Sequence, residues 1–307
     1  MSAAAKGSKL RAWLQFLRAP NLFTVPGDPL AGFMLAWAAV GCACWGRAAL
    51  GAAAAMMLYS AGLLLNDYFD LAADRRDRPN RPLPAGLVAP GTVLAVAIVL
   101  LAAGIGAAFA AGVAAGIVAA TLAGLAVAYD AGLKRLAVIG PIAMGACRGL
   151  SLCLGAAAAG SAEALASPAV LAAAGMMALY IAAVTVIAAR ETETARIGLK
   201  RYLPAGVLTA GLIVLASLPA PASAGAWLAF VLLGLAAVEL AILCARDLAG
   251  TPAPRAVQRT IGRLIRNLLV VQSAICAAVL WPGIVVAAGL LVAWPVASVL
   301  ARRFHAS

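Results

Sequence analysis

The chain has 307 residues, of which 65% are hydrophobic and 11% are charged, and its mean hydropathy is +1.02. This composition excludes an ordinary soluble domain, because apolar runs of such length and number are typical of transmembrane helices. The net charge of +12 does not indicate a nucleic-acid partner, since the basic residues fall almost entirely on one side of the topology predicted below.

Ten apolar segments follow one another along the chain, separated by charged clusters or by short stretches rich in Gly and Pro. Several segments are short or rich in Gly and Ala, which favour close helix–helix contact in lipid. We therefore predict an all-α polytopic membrane protein with nine to ten transmembrane helices, in which residues 1–307 form a single transmembrane domain. The predicted segments are 20–41, 48–66, 89–111, 113–130, 138–160, 168–189, 203–219, 224–245, 260–281 and 284–301.

Lysine and arginine are distributed unevenly between the two sides of this topology. The short tail 1–18 and the loops after every second segment hold nearly all of them, whereas the opposite loops hold only Arg47. By the positive-inside rule, we expect both termini and the loop around residues 75–81 to face the cytoplasm, and we expect the protein to lie in the cytoplasmic membrane. This agreement favours ten crossings, because the loss of one segment would move the later basic loops to the other side.

The end of the second segment reads LNDYFDLAADRRDRPNRPLPAG, residues 65–86, and joins acids to an Arg/Pro run. Asn66, Asp70 and Asp74 are spaced i, i+4 and i+8, so they share one face if the helix continues through them. Acids clustered at a helix C-terminus repel one another and are disfavoured by the helix dipole. A bound cation would offset both effects, and oxygen ligands suit Mg²⁺ held partly by protein and partly by substrate phosphate.

Basic residues in two loops are candidate ligands for that phosphate. Arg78 and Arg81 follow the acids directly, and guanidinium groups bind phosphate oxygens in pairs. A plain positive-inside anchor is the alternative, although an anchor does not require acids upstream of it. After the fourth segment, Lys134 and Arg135 are predicted to contact a diphosphate, and Tyr129 to hydrogen-bond near its leaving oxygen. The alternative there is an ordinary helix end with a snorkelling lysine.

Further candidates lie at the end of the sixth segment and within the membrane. Glu191 and Glu193 are predicted to assist with the metal. Their i, i+2 spacing does not put both on one helical face, so a solvated loop is the alternative. Charges at membrane depth are functional candidates by default. We therefore predict that Asp28 and Arg148 contact substrate, with Arg148 either reaching the phosphate or pairing with an acid. Asn21 lies seven residues before Asp28 on the same predicted helix, so we expect it to face the same cavity and to contact substrate as well.

The Asp-rich stretch resembles a motif of the UbiA superfamily of intramembrane prenyltransferases, in which NDxxDxxxD is followed by RPxRPLPxG. Tyr129 and Lys134 are similar to the Tyr/Lys signature that this family has after its fourth helix, and 18–21 is similar to its first-helix signature. The stretch YDAGLKR…GPIAMGACRGL is similar to the EboC-like branch of the family. The first motif matches at Asn66, Asp67, Asp70, Asp74, Arg78, Pro79, Arg81, Pro82, Leu83, Pro84 and Gly86.

The resemblance implies an all-helical fold, usually of nine helices, around a central cavity that is open to lipid. It also implies Mg²⁺ and transfer of a prenyl group from an isoprenyl diphosphate to a lipid-soluble acceptor, which we expect to be aromatic or ring-bearing. With the reasoning above, it assigns metal binding to Asn66, Asp70, Asp74, Glu191 and Glu193, and catalysis to Asp70, Asp74, Arg78 and Lys134. Substrate contact is expected from Asn21, Asp28, Arg81, Tyr129, Arg135 and Arg148.

The chain departs from the family pattern in two places. The usual second motif, DxxxD, is replaced by ETETA at 191–195, and the apolar run 284–301 is one more than the usual nine. A non-catalytic membrane binding protein or a transporter for an isoprenoid or phosphorylated lipid is therefore the competing class. Charged residues inside the membrane suit a transporter as well as an enzyme.

The charge distribution makes a prediction about topology. If ten segments cross, cysteines introduced at Ser2 and Ser307 should both be reached by an impermeant thiol reagent only after the membrane is permeabilised. The six native cysteines would first be replaced, and a cysteine at Arg47 would serve as the control that is labelled from outside. Labelling of Ser307 in intact cells would mean an odd number of crossings.

Overall fold

The computed structural model describes residues 12–41, 44–160, 162–189, 196–218, 223–279 and 281–303. Within these ranges the chain folds into long helices joined by short turns, without a strand. The first long helix has a break at 23–26 between Ala19–Leu22 and Gly27–Val40. The long helices are α1 (Ala19–Val40), α2 (Trp45–Phe69), α3 (Pro90–Ala111), α4 (Val113–Ala131), α5 (Ile139–Ala158), α6 (Pro168–Ala188), α7 (Leu203–Ser217), α8 (Ala224–Asp247), α9 (Pro254–Ala277) and α10 (Trp281–Arg303).

Each predicted apolar segment corresponds to one of these helices, so the all-α polytopic fold is confirmed. Nine of the described helices are long and apolar enough to cross a membrane. The exception is α9, which begins at Pro254 and not near 260 as predicted. The earlier start adds Arg255 and Arg259 to Arg263 and Arg266, so the first half of α9 holds four arginines. The second half of α9, from Asn267 to Ala277, is entirely buried.

The last helix runs back along the first. Near its start, Gly283 packs beside Met34 of α1, and α10 also contacts the Ala19–Leu22 segment where α1 begins. The two helices are therefore antiparallel, which places the end of α10 at the same end of the bundle as the start of α1. This arrangement agrees with the predicted even number of crossings.

Glycines on α5 allow it to lie at the centre of the bundle. A Cβ on Gly155 would lie 1.8 Å from the carbonyl oxygen of Pro29 on α1, and one on Gly145 would lie 2.2 Å from that of Ala178 on α6. Gly32 on α1 approaches α5 just as closely, because a Cβ there would lie 1.9 Å from the Leu152 carbonyl oxygen. Such close backbone approach is how helices associate in lipid, where the hydrophobic effect does not drive them together.

A small apolar cluster supports the end of α2 where the predicted site lies. Phe16 from the first described turn, Leu64 from α2 and Leu83 from the following loop are each at most 3% exposed and pack together. The loop folds back through hydrogen bonds that include Ala85 N–H to the Arg81 carbonyl at 2.9 Å. Gly86 ends this turn with a φ of 73°, a backbone conformation that glycine adopts without strain. The cluster therefore fixes the Arg/Pro loop against α2.

We expect Gly155→Ala to destabilise the protein, because its added methyl would collide with a carbonyl oxygen of α1 and overpacking costs roughly 1–3 kcal/mol. Gly62→Ala is the matched control, since a Cβ at Gly62 would meet nothing within 4 Å. Thermal unfolding in detergent micelles measures both. A midpoint for Gly155→Ala that equals the control would contradict the close α1–α5 packing.

Candidate active site

The acidic stretch stays helical across the end of α2. The helix ends at Phe69, and the short helix Leu71–Asp77 begins after a single intervening residue, Asp70. The Asp70 N–H donates to the Asn66 carbonyl at 3.0 Å, and the Asp74 N–H donates to the Asp70 carbonyl at 2.8 Å. These i→i−4 bonds keep the helical spacing. Asn66, Asp70 and Asp74 therefore occupy successive turns.

Acids of this stretch are paired with two bases, one from the turn after α4 and one from the Arg/Pro loop that follows the acids. Lys134 Nζ lies 2.8 Å from Asp70 Oδ1. Arg81 Nη1 donates to Asp74 Oδ2 at 2.8 Å and lies 3.8 Å from Asp67 Oδ1. The Lys134 and Arg81 side chains are only 13% and 14% exposed. Because little water screens them, these pairs interact more strongly than ion pairs on an open surface.

Lys134 keeps donor capacity for a further ligand. It belongs to the 3₁₀ turn Leu133–Arg135 that follows α4, and its Nζ also lies 3.9 Å from Asp130 Oδ1. Although Asp70 is close, the buried ammonium makes no hydrogen bond of proper geometry within the described part of the chain. An ammonium group has three N–H donors, so a phosphate oxygen at this position would find donors that are not yet used.

Asp130 lies four residues before Lys134 and is a site residue that was not among those predicted from the sequence. In the structure, Asn66 Nδ2 donates to Asp130 Oδ1 at 2.9 Å, and Asp130 is 4% exposed. This bond joins the end of α2 to the end of α4. The available signal was an acid at the end of an apolar segment beside a Tyr/Lys pair, but its partner on another helix could not be read from spacing.

The other predicted residues near these acids lie at different depths. Tyr129 is half-buried, and Arg18 is close enough to act electrostatically on both Tyr129 and Asp130. Sequence reasoning had noted Arg18 only as part of the first-helix signature. Arg78 is half-buried where the acidic helix ends, and Arg135 is exposed. The structure thus brings the Asp-rich stretch, the Tyr/Lys signature and Arg18 to one end of the bundle.

Asp28 and Arg148 form an ion pair deeper in the bundle. Arg148 donates to Asp28 Oδ2 and, at 2.9 Å, to Thr24 Oγ1. Gln272 Nε2 donates to Asp28 Oδ1 at 2.6 Å, and the Arg148 guanidinium lies 5.6 Å from the ring centroid of Tyr59. Of the two roles predicted for Arg148, the structure shows the pairing with an acid. The network links α1, α5 and α9 and satisfies charges that lipid would not solvate.

These contacts separate the deep polar residues from the Asp-rich stretch. Asp28 has no exposed surface and both its oxygens accept hydrogen bonds, so this geometry gives it a structural role. Asn21 is 8% exposed, and its carbonyl oxygen accepts a hydrogen bond from Thr24 Oγ1 at 2.8 Å. Substrate contact by Asn21, Asp28 and Arg148 stays a prediction. Glu191 and Glu193 lie outside the described residues.

An apolar groove of 610 Å³ opens between α6 and α7. Its lining includes Met176, Leu179, Tyr202 and Val207, and none of the predicted site residues that the structure describes. The acids and bases described above therefore form a site separate from this groove.

The acids do not form a metal cage by themselves. Among the residues that the structure describes, no three Asp, Glu, His or Cys side chains converge closely enough to hold a metal ion. Asp70 and Asp74 instead contact Lys134 and Arg81. An incomplete set of oxygen donors fits Mg²⁺ better than other metals, because Mg²⁺ is usually held by one or two carboxylates together with substrate phosphates and water. The predicted metal site fits this donor set only if a substrate supplies the remaining oxygens.

The sequence profile of the UbiA prenyltransferase family matches residues 29–260. Because this match covers most of the chain, the protein belongs to the UbiA prenyltransferase family, and the resemblance drawn from the Asp-rich motif is confirmed.

Curated relatives match over shorter segments. The digeranylgeranylglyceryl phosphate synthase of Ignicoccus hospitalis is 37% identical over 97 residues, which are 31% of this chain and 30% of the relative. The enzyme of the same name from Methanopyrus kandleri is 34% identical over 104 residues, or 32% of this chain and 35% of the relative. The matched segment thus spans about a third of the length of these relatives.

Solved structures agree with the fold over most of the chain. The apo structure of a UbiA homologue from Aeropyrum pernix K1 superposes with a TM-score of 0.65 at 18% identity, covering 83% of this chain and 96% of the homologue. A UbiA homologue from Archaeoglobus fulgidus, bound to DMAPP and Mg²⁺, gives a TM-score of 0.58 at 13% identity and covers 85% and 99%. At such identities the likeness shows the fold alone.

The deep ion pair leads to a stability prediction. Asp28→Ala leaves Arg148 buried without its counter-charge, and breaking a buried pair in this way costs about 3–5 kcal/mol. Asp247→Ala is the control, because Asp247 and its partner Arg263 have side chains 49% and 42% exposed, and an exposed pair contributes about 0–1 kcal/mol. Thermal unfolding compares the two variants. Equal losses would contradict the structural role of Asp28.

Proposed function

We propose that this protein is a Mg²⁺-dependent prenyltransferase that moves a prenyl group from an isoprenyl diphosphate to a lipid-soluble acceptor within the membrane. The observation that carries the proposal is the pairing of Lys134 with Asp70 and of Arg81 with Asp74 at one end of the bundle. Such a site offers carboxylates to a metal ion and cations to a diphosphate. Membership of the UbiA prenyltransferase family and a homologue solved with DMAPP and Mg²⁺ support this function.

Metal binding is assigned to the acidic stretch. Asn66, Asp70 and Asp74 would hold Mg²⁺, and Glu191 or Glu193 is proposed to assist. When bound, the ion would neutralise charge on the diphosphate as it leaves. Because the described residues do not complete a metal cage, we expect Mg²⁺ to bind together with the diphosphate and only weakly without it.

The bases are assigned to the diphosphate itself. Lys134, Arg78 and Arg81 would hold its oxygens, and Tyr129 would hydrogen-bond near the leaving oxygen. During transfer, the bond between the allylic carbon and the diphosphate oxygen breaks, and its electron pair leaves with the diphosphate. Cations that are already fixed in place stabilise this developing charge without further reorganisation. The acceptor then forms the new bond to the allylic carbon and loses a proton.

The surrounding helices have a separate task. The allylic carbon becomes electron-deficient when the diphosphate leaves, so water must be kept away from it. Apolar helix walls would do this and would also hold the isoprenoid tail.

Two further groups of residues are proposed to contact substrate. Arg135 is proposed to contact the diphosphate from the exposed side of Lys134. Contacts of Asn21, Asp28 and Arg148 with substrate, deeper in the bundle, are proposed as well.

The acceptor of the prenyl group could belong to one of two chemical classes, ring-bearing molecules or glyceryl phosphates. The resemblance at the level of motifs led us to expect an aromatic or ring-bearing acceptor. The curated relatives are named digeranylgeranylglyceryl phosphate synthase, and this name favours an acceptor built on glyceryl phosphate. We propose that the acceptor is lipid-soluble in either case, because it must reach a carbon that is enclosed by helices within the bilayer.

The orientation of the protein in its membrane is inferred from the distribution of lysine and arginine among its loops. The chain is a multi-pass membrane protein, and its basic loops lie at the end of the bundle that holds the Asp-rich stretch. We propose that this end faces the cytoplasm and that the protein lies in the cytoplasmic membrane.

The test is an assay of purified protein in lipid with isoprenyl diphosphates of several chain lengths, each with a ring-bearing or a glyceryl phosphate acceptor. We expect diphosphate release and prenylated product only with Mg²⁺. Asp70→Ala should reduce turnover at least about 100-fold, the scale of a lost preorganised electrostatic contact. Asp77→Asn, which removes an exposed acid from the short helix that follows Asp70, should leave turnover unchanged.

Two results would change the assignment. Normal turnover in a folded Asp70→Ala variant would remove this residue from the site. Mg²⁺-dependent capture of the diphosphate without product, for every donor and acceptor pair, would favour the binding protein or transporter over the enzyme.

A further inference from the structure

The hydrogen bond between Asn66 and Asp130 determines which end of the Asn66 amide faces the rest of the site. A carboxylate accepts hydrogen bonds and does not donate them, so it selects the amide nitrogen of Asn66, which lies 2.9 Å from Asp130 Oδ1. The amide oxygen is then directed away from Asp130. If the amide turned over, its oxygen would face the carboxylate, and two acceptors would meet without a proton between them.

Asp130 is held firmly enough to impose this orientation. It is 4% exposed and lies in the last turn of α4, which packs directly against α2. Lys134 lies 3.9 Å from the same carboxylate oxygen. The carboxylate is therefore fixed by its own helix on one side and by a buried base on the other.

The same geometry gives a reason for asparagine at position 66. Asp67, Asp70 and Asp74 are all acids, yet the residue that faces Asp130 is an amide. An aspartate at 66 would place a second carboxylate oxygen about 3 Å from Asp130 Oδ1, where like charges oppose each other strongly. Asparagine removes that repulsion and still keeps one oxygen that can serve as a metal ligand.

We infer that Asp130 is a positioning residue that holds the Asn66 amide with its oxygen presented to the metal–diphosphate site. This role rests on the proposed function, because it concerns the metal that would assist diphosphate transfer. Asp130 acts through Asn66 and does not itself contact the reacting atoms. Residues that orient a metal ligand from behind typically change metal affinity about 10–100-fold when they are removed.

The experiment titrates Mg²⁺ into the purified protein in the presence of inorganic diphosphate and measures binding by calorimetry. Asp130→Leu removes the acceptor and should weaken Mg²⁺ binding about 10–100-fold. Asn66→Asp should cause a loss of similar size, because it creates the opposed carboxylates. Asp130→Asn alone should cost little, since its amide oxygen can still accept the hydrogen bond from Asn66.

The decisive variant combines Asn66→Asp with Asp130→Asn. This exchange restores the hydrogen bond with donor and acceptor reversed, so we expect it to recover most of the affinity that Asn66→Asp loses, a strongly non-additive result. Asn66→Asp combined with Asp77→Asn is the matched control. It has the same net charge, but the exposed Asp77 does not face Asn66, so no recovery is expected.

The outcomes separate this role from the proposed function. Thermal unfolding first checks that each variant is folded, and where Asp130→Leu is not folded, the comparison of the exchange variant with Asn66→Asp carries the test. The role of Asp130 alone would be overturned if Asp130→Leu bound Mg²⁺ with the affinity of the wild type. It would also be overturned if the exchange variant bound Mg²⁺ no more tightly than Asn66→Asp. Equal recovery by the Asp77 control would also overturn it, because net charge would then be the cause. Absence of Mg²⁺-dependent binding in the wild type would overturn the proposed function, and this role with it.

Discussion

Carboxylates that lie close together at the end of a membrane helix have to be neutralised, and the rest of the site is arranged around this constraint. Asp70 contacts Lys134, and Asp74 contacts Arg81. Lys134 comes from the 3₁₀ turn after α4, and Arg81 comes from the Arg/Pro loop. The two ion pairs therefore hold both segments against the end of α2. Without these bases, the acids would repel one another where little water screens them.

The same pairs suit the proposed reaction, because a metal ion and a diphosphate can exchange partners with them. The diphosphate would take over the cations, while Mg²⁺ would take over the carboxylates. Neither ligand would need to enter an empty charged pocket, since the protein's own charges balance each other beforehand. In this view, the absence of a complete metal cage among the described residues is consistent with a metal that arrives with its substrate.

The deeper ion pair serves the architecture that holds this site. Asp28 and Arg148 balance each other inside the bundle, and Gln272 joins them from α9. Glycines on α5 let the same helix approach α1 and α6 closely, so polar and close-packing contacts both converge on one central helix. α4 contacts α5 as well as α2. The position of Lys134, in the 3₁₀ turn after α4, therefore depends on the packing around α5.

The sequence by itself determined the ten helical segments, because long apolar runs in a chain of this composition form helices that are buried in lipid or inside the bundle. It also determined the face shared by Asn66, Asp70 and Asp74, since that follows from the period of one helix. The ends of a helix were harder to predict where charged residues lie within it. The arginines of α9 are compatible with a helix that begins at Pro254, although they do not suit a span that faces lipid.

Only the tertiary structure decided which residues meet across helices. Asn66 and Asp130 are 64 positions apart, and Asp28 and Gln272 are 244 apart. Spacing along one helix does not specify the rotation or depth at which another helix packs against it. For this reason Asp130 could be read from the sequence only as a neighbour of Lys134, whereas the packing of α4 on α2 makes it the partner of Asn66.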